Sequence, residues 1–69
     1  MLYYKIKEAR IKHGLTQQHL SRLSGVSVSM ICAIENNYRN PTVLVLHELA
    51  KAMHLQISEL YEECSVPFY

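Results

Sequence analysis

A chain of 69 residues makes one small domain, which buries only about 60% of the surface its unfolded form exposes. Two cysteines and no aspartate exclude a disulfide framework and a Ser–His–Asp triad, and the formal net charge is +1. Val43-Leu44-Val45-Leu46 is too short an apolar run to cross a bilayer. Charged residues directly after Met1-Leu2-Tyr3-Tyr4 leave no signal peptide, and neither end carries a lipidation pattern. A cytoplasmic protein without a membrane segment is expected.

The first helix is predicted over 3–13, with Ile6, Ala9 and Leu2 or Tyr3 inward and Gly14 as its stop. Thr16 is placed to cap a second helix over 17–23, and Ser27 a third over 28–36, with a turn at Ser24-Gly25-Val26 between them. Leu15, Leu20, Leu23, Val26, Ile31 and Ile34 are the core positions expected from this pair. Asn36 to Pro41 is a polar loop, because Asn tolerates a left-handed backbone and Pro41 blocks a helix. Thr42 then caps a fourth helix running to about Met53, with Val43, Leu46, Leu49, Ala50 and Met53 at helical spacing. A short fifth helix is expected over 57–63, with Ile57 and Leu60 inward, followed by an extended apolar tail, Ser65 to Tyr69. No strand-like alternation is visible. The expected fold class is a compact all-α bundle of five helices in a single domain over 1–69, with its core at about 5–61 and the tail at 62–69.

The second and third helices form a helix-turn-helix layout, in which the second of the pair can enter a DNA major groove. Gly25 suits the junction, where a positive φ is cheap only for glycine. Charge supports the same partner. Residues 1–40 carry six Lys and Arg against two Glu, and residues 41–69 carry one Lys against four Glu. A basic half and an acidic half suggest one DNA-facing side.

The pattern Arg10…Gly14-Leu15-Thr16-Gln17…Leu20…Gly25-Val26-Ser27…Ile31…Ile34-Glu35-Asn36…Asn40-Pro41-Thr42…Leu49-Ala50…Leu60 resembles the Cro/C1-type (Xre-like) helix-turn-helix family over about residues 5–61. The resemblance implies a five-helix, lambda-repressor-like fold that binds double-stranded DNA. It also implies a role in transcription regulation, restriction-modification control or toxin neutralisation. By the resemblance, Gln17 bonds a phosphate and braces the third helix. Ser27, Val28 and Ser29, and one turn on Cys32 and Ala33, face the groove. Asn36 and Tyr38-Arg39-Asn40 match the phosphate-contacting segment, and Arg10 with Glu35 matches a partly buried structural salt bridge. Two departures are mild: Asn37 and His54 stand where the family often has glycine. A third affects readout. Val28, Ser29, Cys32 and Ala33 include no Arg, Gln or Asn, so the bidentate pairs to guanine or adenine are missing from this face. Specificity is therefore expected to lean on thymine methyls, backbone contacts and DNA shape.

Dimerisation is expected through the fifth helix and tail, where Leu60, Tyr61, Val66, Phe68 and Tyr69 offer apolar area; alternatively the tail covers its own core. A homodimer would read a near-palindromic operator. His13, His19, His47 and His54 lack the i,i+4 spacing that joins two imidazoles on a helix, so no metal and no cofactor is expected. Cys32 is read as a small contact residue, with oxidation as the alternative. With Gly14 and Gly25 its only glycines, the chain has no phosphate loop, and no enzyme is expected. Two other functions stay open: an antitoxin with a protein partner, and an interaction module that has lost DNA binding.

Overall fold

Three hydroxyl side chains set where helices begin. In a computed structural model, which describes residues 2–63, Thr16 accepts from the His19 N–H at 3.0 Å, Ser27 from Met30 at 3.1 Å and Thr42 from Val45 at 3.1 Å. Each side chain satisfies one of the four N–H groups that a helix start leaves without an internal partner. The helices that follow are α2 (Gln17–Ser24), α3 (Val28–Glu35) and α4 (Val43–Ala52). Ahead of them lies α1 (Ile6–Lys12). Gly14 and Gly25 hold φ of 68° and 77°, and Asn37 and His54 take 63° and 57°. The last two therefore do the left-handed work of a glycine, as the departures from the family pattern suggested.

The expected all-α, five-helix architecture needs correction. Residues Leu2–Tyr4 form a strand, β1, that pairs antiparallel with β2, Tyr61–Glu63. The register sets Tyr4 opposite Tyr61 and Tyr3 opposite Glu62, and the Lys5 N–H extends the ladder to the Leu60 carbonyl at 2.8 Å. Aromatic residues favour strands, and an opposed Tyr pair is a favourable cross-strand unit. This pairing shortens the first helix from its expected start at residue 3. The fifth helix contracts to a 3-10 turn, Ile57–Glu59, whose start is fixed by the Gln56 N–H donating to Glu59 Oε2 at 2.8 Å. The described chain thus holds four α-helices, one 3-10 turn and one two-stranded sheet.

The core unites Ile6, Leu20, Val26, Ile31, Ile34, Leu46, Leu49, Ala50, Met53 and Leu60, with Ala9, Leu15 and Ile57 packed at its edge. Burying each large apolar side chain contributes roughly 1.5–3 kcal/mol. Leu23 and Val43, expected inside, are exposed, and so is Tyr3, which was one of two alternatives with Leu2. In α2 the inward stripe is Gln17, Leu20 and Ser24; at about 100° per residue, Leu23 falls about 90° from its centre. Val43 is the first residue of α4, at the end of the helix beyond the core. Tyr3 points away from the core because Tyr4, its neighbour on the strand, packs against it.

Candidate nucleic-acid interface

α3 is built with two faces. Ile31 and Ile34 point into the core. At about 100° per residue, Ser29, Cys32, Ala33 and Asn36 lie within about 50° of the opposite direction. Ser27, Val28, Ser29 and Asn36 are exposed, while Cys32 and Ala33 are half-buried. The cause of that partial cover is local. Asn36 folds its amide back onto its own helix end, donating to the Cys32 carbonyl at 2.9 Å and lying 3.3 Å from its Sγ. The backbone then turns through left-handed Asn37, and the Tyr38 and Arg39 N–H groups both donate to the Ala33 carbonyl, at 2.8 and 3.3 Å. These bonds satisfy carbonyls that the helix end would leave open. They also press the loop against the outward face of α3. Tyr38, Arg39 and Asn40 are exposed there.

α3 is held by a charged hub beneath it. Arg10 Nε donates to Glu35 Oε2 at 2.8 Å and Nη2 to Oε1 at 3.1 Å, a bidentate pair. Arg10 Nη1 donates to the Leu15 carbonyl at 2.8 Å, and Gln17 Nε2 to Glu35 Oε1 at 3.0 Å. One carboxylate therefore links α1, α2 and α3. The side chains of Arg10 and Glu35 are 13% and 3% exposed, so the pair sits largely out of water. Its hydrogen bonds to Glu35 hold the Arg10 guanidinium above its ordinary pKa, against the opposing effect of burial. The expected salt bridge is present, and Gln17 reaches the end of α3 as the resemblance implied.

Other expectations need revision. The basic and acidic halves of the sequence interleave: Lys5 Nζ lies 3.6 Å from Glu62 Oε2, and Lys12 shares a shallow hollow with Glu59. Within α3 the one charged residue is Glu35, which Arg10 neutralises. Leu60 is fully buried in its own core, so it offers nothing to a second subunit. Tyr61 is half-buried opposite Tyr4. Val66, Phe68, Tyr69 and Cys64 lie outside the described residues. Met30 was not singled out from the sequence. It lines a hollow of about 250 Å³ with Ser27, Ser29, Ala33 and Arg39, and its spacing of three from both Ser27 and Ala33 is the signal that could have found it. Among the described residues, no group of three His, Cys, Asp or Glu side chains is placed to hold a metal ion. No helix there is long and apolar enough to cross a membrane.

Two short capped helices joined by Gly25-Val26-Ser27, the second with its outer face turned from the core, define a helix-turn-helix protein. Residues 6–60 match the helix-turn-helix family. Over 51 residues the chain is 41% identical to the uncharacterized HTH-type transcriptional regulator y4dJ of Sinorhizobium fredii, spanning 74% of this chain and 66% of that one. It is 33% identical over 63 residues to the HTH-type transcriptional regulator PuuR of Escherichia coli, spanning 91% of this chain but 34% of PuuR. The chain therefore matches about two thirds of one relative's length and one third of the other's. In fold it is similar to the restriction-modification controller protein C.AhdI from Aeromonas hydrophila, with a TM-score of 0.77, 31% identity, and coverage of 80% of this chain and 83% of that one. The protein belongs to the Cro/C1-type helix-turn-helix family.

Proposed function

We propose that this protein is a cytoplasmic DNA-binding transcription regulator, acting as a homodimeric repressor on a near-palindromic operator. α3 lies in the major groove, with Ser27, Val28, Ser29, Cys32 and Ala33 toward base edges. Gln17, Tyr38 and Asn40 approach phosphates on either side, Asn36 does so by giving up its contact with Cys32 Sγ, and Arg39 brings a positive charge to the same surface. The Gln17 amide carries two N–H donors, so one remains for a phosphate beside its bond to Glu35. The observation that carries the reading is the outward face of α3. Its residues do no work in the core, yet the Arg10–Glu35–Gln17 hub fixes their direction. With Leu60 committed to the core, the dimer contact falls to Tyr61 and the tail residues Val66, Phe68 and Tyr69.

Selection from a pool of random duplexes at moderate salt tests this. The expected result is an enriched palindrome whose half-sites lie about one helical turn apart, 10–10.5 bp. Affinity for it should fall steeply with salt, because phosphate contacts release counterions. Absence of both enrichment and salt-sensitive binding would overturn the proposal and leave a protein-interaction module.

A further inference from the structure

The outward face of α3 has no long polar side chain, and the structure brings one alongside it from outside the helix, on the flank marked by Met30 and Ala33. The Arg39 N–H is tied to the Ala33 carbonyl, which anchors the residue beside the last turn of α3. From there its side chain runs back toward the helix start. Arg39 Nη1 lies 3.8 Å from Met30 Sδ, about 4.5 Å along the axis from Ala33. The hollow it crosses is bounded by Ser27, Ser29 and Ala33, small residues that leave it open. Among the described residues, no carboxylate lies within ion-pair distance of Arg39. A thioether is a weak acceptor, so the contact holds the guanidinium in place and gives it up readily to a stronger acceptor. In helix-turn-helix complexes the first residues of the groove helix meet the base edges. A guanidinium is also the group that matches guanine O6 and N7 with two parallel bonds.

We propose that Arg39 reads a guanine in the major groove, laid across α3 from the loop behind it, rather than holding a phosphate. This rests on the DNA-binding reading given above. Met30 is the positioning residue that keeps the guanidinium over the first turn, and the short side chains at Ser29 and Ala33 are the space it occupies.

Parallel selections from random duplexes with the wild-type chain and Arg39→Ala test it. The wild-type motif should carry one guanine per half-site that Arg39→Ala no longer prefers, a loss of roughly 5- to 150-fold in discrimination at that position. Preferences elsewhere in the half-site should be retained. Because Arg39 is exposed, urea unfolding should find the variant as stable as the wild type, which separates the effect from misfolding. A wild-type motif with no such guanine, or an unchanged motif bound uniformly more weakly by the variant, would overturn the assignment and make Arg39 a phosphate contact. A wild-type selection that enriches nothing would instead overturn the DNA-binding reading itself.

Discussion

Replacing Arg10 with methionine removes three hydrogen bonds, two to Glu35 and one to the Leu15 carbonyl. It leaves a carboxylate that is 3% exposed with Gln17 as its remaining side-chain donor. Breaking a buried pair from one side costs about 3–5 kcal/mol. Because Arg10 keeps some solvent contact, at 13% exposure, the lower end, about 3 kcal/mol, is expected. A domain of this size has roughly 3–10 kcal/mol in total, so the variant should stand near the edge of folding, with Tm lower by about 12–24 °C. Glu35→Leu should cost less, since the long Arg10 side chain can turn to water. The double variant should recover most of the loss, because an apolar pair replaces the ions. Urea unfolding followed by circular dichroism gives all four corners of the cycle, with a common m-value confirming that only stability has changed. The pH dependence has a definite sign. Arg10 is raised in the folded state, so its contribution is complete below the unfolded-state value and is lost only in strong alkali. Arg10 should therefore add no pH dependence to the stability of the wild type over about pH 6–9. A loss under about 1 kcal/mol for Arg10→Met, or additivity within about 0.5 kcal/mol, would refute the account of the hub.

Gly25→Ala should destabilise by about 1–2 kcal/mol through backbone strain alone, because a Cβ built there meets nothing within 4 Å; a loss above 3 kcal/mol on urea unfolding would mean a clash that the structure does not contain. Asn37→Gly should raise stability by a few tenths of a kcal/mol to about 1, relieving the positive φ of 63°; a fall in Tm would contradict the strain argument. Leu60→Ala should cost about 2–5 kcal/mol in a manner independent of protein concentration. A loss that vanishes at high concentration, in sedimentation and unfolding run together, would return Leu60 to the dimer contact.

The features legible in the sequence were those whose causes are local. Thr16, Ser27 and Thr42 each bond the N–H three residues on, so the cap, the helix start and the spacing of the core residues stand within one window. The sheet was not legible for the opposite reason. Its strands are three residues long, too short to alternate visibly, and Tyr4 finds Tyr61 only after the helices between them have packed. Leu23 shows a second limit, since helical spacing allows a residue onto the inward stripe but cannot say where the stripe is centred. In the site, Arg10, Gln17 and Glu35 were read through the family pattern, and their geometry agrees with it. The approach of Arg39 to Met30 was out of reach, because it follows from how the loop after Asn37 doubles back on Ala33.

The short sheet has a topological effect. Leu2 and Glu63 face each other across its ladder, about 5 Å apart in an antiparallel pair, so the described residues, 2–63, nearly close into a ring. A linker of a few residues joining those two positions would span almost no distance and add little closure entropy. The ring could then be opened in the exposed loop between α3 and α4, giving a circular permutant with the same neighbours in a different order. Segments attached at either side of the ring leave from one spot on the surface, like two cables through a single port.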